Sequence, residues 1–150
     1  MEDCLKRKVL FLCETNGLRS LMAEALLSRI DSEHFEAVSA STGCRRLHPF
    51  TVEVMREIGV DLSRRALKHM DDLKDDKFDD VIILGESSKH GYEDFQRGNT
   101  ICWNVDDPVA ASDDPEKQLR AFRIVRDQIA QRLRLFVIVH VRPQTRSTAA

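Results

Sequence analysis

Residues 8–30 read KVLFLCETNGLRSLMAEALLSRI, and this stretch decides the fold. Its first part, 8–13, is rich in β-forming residues and apolar on both faces, as in a strand buried inside a parallel sheet. The second half has apolar residues at helical spacing, among them Met22, Leu26 and Ile30. A short polar loop therefore joins a buried strand to an amphipathic helix.

The rest of the chain repeats this alternation of strand and helix. Further strands are predicted at 35–42, 81–85 and 100–105. Further helices are predicted at 48–60 and 65–73, followed by a long amphipathic helix whose inward face includes Leu119, Phe122, Val125, Ile129 and Leu133. Residues 74–80 are interpreted as a solvated turn. The alternation predicts an α/β fold in which a single-domain, parallel four-stranded sheet is flanked by helices.

Length and composition fit one folded domain. The chain has 150 residues, of which 42% are hydrophobic and 32% charged. The domain is predicted to span 1–140, and 141–150 has the composition of a flexible tail. The net charge of -2 argues against nucleic-acid binding, because phosphate backbones are met by clustered positive charge. No apolar run approaches the roughly 18 residues of a membrane span, so a cytoplasmic protein without a membrane partner is expected.

The cysteines and histidines do not have metal-ligand spacing. Cys4, Cys13, Cys44 and Cys102 form no C-x-x-C pair, and the five histidines show no pairing with them. We therefore expect free thiols and no metal site. Cys102, next to a tryptophan in the fourth strand, is expected to fill the core.

The loop after the first strand has the composition of an anion-binding site. Its predicted members are Glu14, Thr15, Asn16, Gly17, Leu18, Arg19 and Ser20. A loop that leads into a helix can turn several backbone N–H groups inward. Arg19 can bind two oxygens of an oxyanion, and Ser20 can donate to the sulfur of Cys13. The same dipoles should lower the pKa of Cys13 from about 8.5 to between roughly 3.5 and 7.5, which would make it a nucleophile.

Transfer through a thiolate also needs an acid that protonates the leaving oxygen. Asp107, in WNVDDPVA after the fourth strand, is the candidate, and Asp106 is a competitor for the same role. The loop that carries both leaves the same carboxyl edge of the sheet as Cys13.

Three stretches carry a family resemblance: VLFLCETNGLRSLMAEALL at 9–27, SASTGCRRLHPFTVEVMREIGVDLS at 39–63, and CWNVDDPVAASDDPEKQLRAFRIVRDQIAQRL at 102–133. Together they resemble the low-molecular-weight protein tyrosine phosphatase superfamily, and most closely its thioredoxin-type arsenate reductase branch. The resemblance implies a phosphotyrosine phosphatase I-like fold with Cys13 as the nucleophile. It also implies that Asn16, Arg19 and Ser20 support the anion and that Asp107 is the general acid.

Two departures from the family pattern bear on the substrate. The reductase branch carries two relay cysteines in and after the loop that follows the third strand, whereas LGESSKHGYEDF at 84–95 contains none. Tyrosine phosphatases clamp the substrate ring with aromatic residues, where this chain has Val109 and GCRRLHP at 43–49.

These features lead to one main functional expectation and two alternatives. The first is an arsenate reductase-like enzyme that holds no bound cofactor and whose reaction is completed by an external thiol such as glutathione, mycothiol or a redoxin, with Cys44 as a candidate resolving thiol. The second is a low-molecular-weight protein tyrosine phosphatase that hydrolyses a phosphorylated substrate through a cysteinyl-phosphate. The third is a binding module that retains only the site for arsenate or phosphate.

Overall fold

The computed structural model describes residues 5–15, 17–85 and 99–141. The strands are β1 (Arg7–Cys13), β2 (Phe35–Ser41), β3 (Asp80–Leu84) and β4 (Asn99–Trp103). The α-helices are α1 (Arg19–Ile30), α2 (Pro49–Glu57) and α3 (Pro115–His140). Two short 3₁₀ helices cover Met70–Leu73 and Pro108–Ala111.

The four strands form one parallel sheet, as the sequence predicts. Their order in the sheet is β2-β1-β3-β4. The chain places β2 on one side of β1 and β3 on the other, so the strand order reverses at β1. In open α/β sheets, ligands bind beyond the carboxyl ends of the strands at such a reversal. The loop after β1 lies at this point.

Side chains of β1 point alternately into two apolar clusters, because successive residues of a strand face opposite sides of the sheet. Val9 and Phe11 pack in the larger cluster, to which all three α-helices contribute. Leu10 and Leu12 pack in a smaller cluster with Met70. All four β1 side chains are fully buried, which confirms the prediction of a strand that is apolar on both faces.

The long C-terminal helix follows its predicted pattern. Pro115 is its first residue, a position that suits proline because the first turn needs no N–H donor. Of the predicted inward residues, Leu119 is half-buried and the others are buried, namely Phe122, Val125, Ile129 and Leu133.

The helix predicted at 65–73 is wrong over most of its length. Only Met70–Leu73 is helical, as a 3₁₀ helix that begins after an extended His69. The preceding residues are drawn toward the sheet, because the Ser41 N–H donates to the Lys68 carbonyl (3.0 Å) and Ser41 forms a parallel bridge with His69. Pairing with the end of β2 thus outweighs the helical propensity of this segment.

Two residues in the predicted solvated turn at 74–80 are buried instead. Phe78 packs in the smaller cluster, and Asp80 is fully buried as the first residue of β3. Asp80 pairs with Arg7 at 2.5 Å, so the opposite charge compensates its burial.

Cys102 is exposed and does not fill the core as expected. It lies opposite Ile83 in β4, which is the edge strand of the described sheet. Because β4 has a neighbouring strand on one side only, the described residues leave the Cys102 side chain exposed to solvent.

Residues 86–98 and 142–150 lie outside the described residues. They include most of the loop that carries relay cysteines in the reductase branch and nearly all of the predicted tail, so the domain boundary at 140 stays a prediction. Among the helices of the described part, none is both long enough and apolar enough to cross a membrane.

Candidate active site

Cys13 is the last residue of β1 and is 1% exposed. Its Sγ lies 3.0 Å from the Oγ of Ser20, and the Ser20 N–H donates to Sγ at 3.3 Å. Sγ also lies 3.0 Å from the carbonyl oxygen of Thr15, to which a thiol can donate. The structure thus brings Cys13 and Ser20 together as the sequence predicts.

The expected fall in the Cys13 pKa is wrong for this arrangement. Burial raises the pKa of the Cys13 thiol, although the Ser20 hydrogen bonds and the charge of Arg19 act to lower it. The dipoles of the loop favour the thiolate, but desolvation of the buried sulfur disfavours this charged form more strongly. Burial thus favours the neutral thiol of Cys13, whereas Ser20 and Arg19 favour its thiolate.

Arg19 begins α1 and is buried beneath the loop, with 6% of its surface exposed. Its Nη1 donates to the Val105 carbonyl at 2.8 Å. Gly85 packs so closely that a Cβ atom there would lie 2.7 Å from Nη1. The Nε atom has no hydrogen-bond partner in the part of the chain that the structure describes. A buried guanidinium with an unused donor is suited to an oxyanion, because a buried donor left unsatisfied is costly.

Sequence reasoning missed both residues that hold Arg19 in place. Gly85 follows the buried strand β3 directly and has φ = +115°, a conformation that favours glycine. A glycine at the carboxyl end of a parallel strand was the available signal. No sequence signal identifies Val105, because it binds Arg19 through its backbone carbonyl and not through its side chain.

Gly17 lets the loop approach the segment before α2. Its φ is +115°, and an added Cβ would collide with the backbone carbonyl of Arg46. The Gly17 carbonyl accepts a hydrogen bond of 3.4 Å from the His48 N–H. The left-handed backbone at this glycine therefore allows the close approach.

The other predicted loop residues differ in exposure. Glu14 is exposed, in line with an acidic side chain that faces away from an anion, and Thr15 is half-buried. Leu18 is buried and precedes the first turn of α1. Asn16 lies outside the described residues, so its role stays a prediction.

The segment that follows β2 runs beside the loop and is joined to it through the backbone. The Thr42 N–H donates to the Cys13 carbonyl and the Gly43 N–H to the Glu14 carbonyl, both at 3.0 Å. Cys44 comes next and is an exposed free thiol. It is not paired with Cys13, so its resolving role stays a prediction.

Asp107 is the N-cap residue of the 3₁₀ helix Pro108–Ala111 and is exposed. Its Oδ1 accepts a hydrogen bond of 3.0 Å from the Val109 N–H. The same segment carries Val105, whose carbonyl accepts from Arg19, so this segment joins the acid candidate to the arginine of the loop. Asp106 lines a surface cavity of about 400 Å³ whose lining includes neither Cys13 nor Arg19. The other lining residues are Asn104, Gln128, Gln131, Arg132 and Leu135.

This arrangement can bind an oxyanion and attack it with sulfur. A model of the low molecular weight phosphotyrosine protein phosphatase family matches residues 8–146. The chain belongs to this family. The predicted resemblance and the predicted fold class are confirmed, and the chain is an enzyme of this family rather than a noncatalytic binding module.

Several relatives within the family are arsenate reductases. The arsenate reductase of Shouchella clausii is 32% identical over 133 residues, which cover 87% of this chain and 95% of the relative. The glutaredoxin arsenate reductase of Synechocystis sp. is 28% identical over 128 residues, which cover 85% and 93%. A solved arsenate reductase in the phosphate binding state superposes with a TM-score of 0.76 at 26% identity, covering 89% of this chain and 98% of that one.

Proposed function

We propose that this family member is an arsenate reductase in which Cys13 is the nucleophile, Arg19 and the loop amides bind the oxyanion, and Asp107 is the acid. The observation that carries the proposal is the buried guanidinium of Arg19. It is fixed by the Val105 carbonyl, and its Nε is free of partners among the described residues. The charge of Arg19 acts to lower the pKa of the Cys13 thiol, which supports one site shared by the sulfur and the anion.

The first step joins sulfur to arsenic. The thiol proton of Cys13 passes to an oxygen of the bound arsenate as the sulfur attacks. The S–As bond forms and one As–O bond breaks. Asp107 supplies a proton to the departing oxygen, which leaves as water. Arsenic remains in the +5 state in this adduct.

The second step reduces arsenic. An external thiol attacks the sulfur of Cys13 and forms an S–S bond, while the S–As bond breaks and its electron pair passes to arsenic. The arsenic is thereby reduced to +3 and leaves as arsenite, and a further thiol reduces the disulfide. The glutaredoxin named in the Synechocystis relative supports a thiol reductant. Glutathione, mycothiol or a redoxin can fill this role.

Cys44 is the internal alternative to the external thiol. It is exposed and follows the two residues that are hydrogen-bonded to the loop. Free thiols at Cys13 and Cys44 also fit a reducing compartment, which supports the proposal that the protein is cytoplasmic.

The test measures arsenite formed by the purified protein from arsenate, with glutathione or mycothiol and a matching redoxin. Cys13→Ser should abolish arsenite formation while leaving the fold intact. Cys102→Ser is the control for the loss of a thiol away from the site, because Cys102 is exposed on β4, the edge strand of the described sheet, and it should behave like the parent protein. Cys44→Ser should retain activity if the second thiol is external. Arsenite formation by Cys13→Ser would contradict the mechanism.

A phosphomonoesterase is the second candidate, and the family match supports it. The same sulfur would attack phosphorus, and water would release phosphate from the cysteinyl-phosphate. Where the family resemblance places an aromatic residue that clamps the substrate ring, this chain has Val109, whose side chain is 38% exposed. An aryl phosphate would therefore lack that ring contact. Aryl phosphate hydrolysis in the same preparation, without arsenite formation, would favour this candidate over the reductase.

A further inference from the structure

A cavity lies between α1, α3 and the residue that ends α2, away from the anion-binding loop. Its volume is about 360 Å³, within the range of cavities that hold small molecules. Neither Cys13 nor Arg19 contributes to its lining. Because a helix rises about 1.5 Å per residue, the lining residue Arg29 lies roughly 15 Å along α1 from Arg19. A ligand in this cavity would therefore be separate from an oxyanion held by Arg19.

Positive charge prevails at the cavity, because its charged lining residues are three arginines and one aspartate. The charge of one arginine, Arg126, is compensated. Its Nε donates to Asp127 and its Nη1 donates to Glu57, both at 2.8 Å. Only 11% of the Arg126 side chain is exposed, so these contacts are partly shielded from solvent. Both carboxylates are therefore engaged by Arg126.

The other two arginines, Arg29 and Arg134, form no ion pair within the described part of the chain. Arg29 donates through Nη1 to the carbonyl of Ile58, which is an uncharged acceptor. Arg134 has no hydrogen bond to any described residue. Two guanidinium groups, one on α1 and one on α3, thus line one cavity and retain unused donors. The planar guanidinium matches the paired oxygens of carboxylate and phosphate groups.

The remaining lining of the cavity is apolar. Leu26 and Ala130 are buried, and Ile30 and Ile58 are half-buried. An inorganic ion would leave this surface in contact with water, whereas an organic anion would cover it, and covering apolar surface is favourable. The combination of guanidinium groups and an apolar wall therefore fits an anion that carries an apolar group.

We propose that this cavity is a second binding site, which takes a small organic anion whose charged group is bound by Arg29 and Arg134 and whose apolar part packs on Leu26 and Ile58. The inference goes beyond the proposed function, since no residue of the anion-binding loop takes part in it. A bound ligand would contact α1, α3 and the end of α2. Because the site exists only in the folded chain, ligand binding should raise the Tm.

The probe for the test is 8-anilinonaphthalene-1-sulfonate, an anion whose fluorescence reports apolar surroundings. We expect it to bind the folded protein at one saturable site and to raise the Tm. N-phenyl-1-naphthylamine has the same rings without the sulfonate and should bind about ten-fold more weakly, because it lacks the charge-assisted hydrogen bonds. Equal affinity for the two probes would overturn the inference. Displacement of the sulfonate by inorganic phosphate, at the concentrations that fill the anion-binding loop, would also overturn it.

Arg134→Gln tests the contact directly. Arg134 is exposed and not hydrogen-bonded to the described residues, so this variant should keep the Tm of the parent protein without probe. We expect it to bind the sulfonate about ten-fold more weakly and the neutral probe unchanged. Arg120→Gln is the matched control, because Arg120 is an exposed arginine of the same helix outside the cavity lining. Equal weakening in both variants would indicate an effect of net charge and would overturn the inference.

The exposed apolar end of α3 is the competing place for the probe. Ile138 is 63% exposed there and does not line the cavity. Ile138→Ser should therefore leave sulfonate binding unchanged. If Ile138→Ser abolished binding while Arg134→Gln retained it, the probe would lie on the end of α3 and the inference would be wrong.

Discussion

The tight packing of Gly85 against Arg19 leads to a quantitative prediction for Gly85→Ala. The added Cβ would lie 2.7 Å from Nη1 of Arg19, and ordinary contact begins at 3.4 Å. Arg19 is buried and donates to the Val105 carbonyl at 2.8 Å, so the guanidinium has little space in which to retreat. The substitution should therefore move the anion-binding group rather than the strand.

Two separate penalties follow from this geometry. A non-glycine residue held at φ = +115° costs about 1–3 kcal/mol of folding free energy. Displacement of Arg19 adds a functional loss, because a shift of about 1 Å in a positioning group can reduce the rate by about a hundred-fold. We expect phosphate affinity and arsenite formation by Gly85→Ala to fall by about ten-fold or more. Calorimetric phosphate binding, arsenite assays and urea unfolding measure these effects.

Gly59→Ala is the matched control. Gly59 also has a left-handed backbone, with φ = +83°, but its added Cβ would meet only the Arg29 side chain, at 3.5 Å. It should share the stability loss of about 1–3 kcal/mol and keep the anion site intact. If Gly85→Ala binds phosphate as tightly as Gly59→Ala does, the idea that Gly85 sets the position of Arg19 is refuted.

Three further predictions concern buried polar groups and titration. Thr51→Val should raise the free energy of unfolding by about 1 kcal/mol, because the buried Thr51 hydroxyl has no partner among the described residues. Ser39→Ala should lower the free energy of unfolding by about 1–3 kcal/mol, because it removes the hydroxyl that donates to the buried carboxylate of Glu24. Urea unfolding in which both variants change stability in the same direction would contradict this. Desolvation lowers the pKa of His48, so the folded protein favours the neutral ring. The contribution of this ring to stability should be complete above about pH 6.5 and should decline as the pH falls below that value. His48→Asn should reduce the dependence of stability on pH in acid unfolding curves, and an unchanged dependence would refute this prediction. Ser20 lowers the pKa of Cys13, so Ser20→Ala should shift iodoacetamide alkylation of Cys13 to higher pH, and an unshifted profile would show that this contact is ineffective.

The features that the sequence predicts well are those set by periodicity. The apolar run 8–13, the helical spacing that follows it and the inward face of α3 are local patterns that the packed structure preserves. The meeting of Cys13 with Ser20 was also predictable, because the intervening loop is short and joins a strand end to a helix start. Periodicity carries this information because burial selects one face of each element.

The features that the sequence did not predict depend on contacts between distant residues. The buried charge of Asp80 is explained by Arg7, 73 positions away in the chain. The extended backbone at His69 depends on pairing with Ser41. The direction of the Cys13 pKa depends on how completely the folded chain removes the sulfur from water. Each of these three features depends on tertiary contacts, which form only when the chain is folded.

The construction of the site also explains why the anion-binding loop alone does not distinguish a reductase from a phosphatase. The segment after β2 holds the loop through the backbone N–H groups of Thr42, Gly43 and His48. The side chains of Cys44 and Arg46 are exposed beside these anchors. A change of either side chain would leave the anchoring hydrogen bonds in place, so the mouth of the site can acquire a different reductant or substrate while the loop keeps its geometry. We therefore expect the exposed residues around the mouth, rather than the loop after β1, to determine which second reactant completes the reaction.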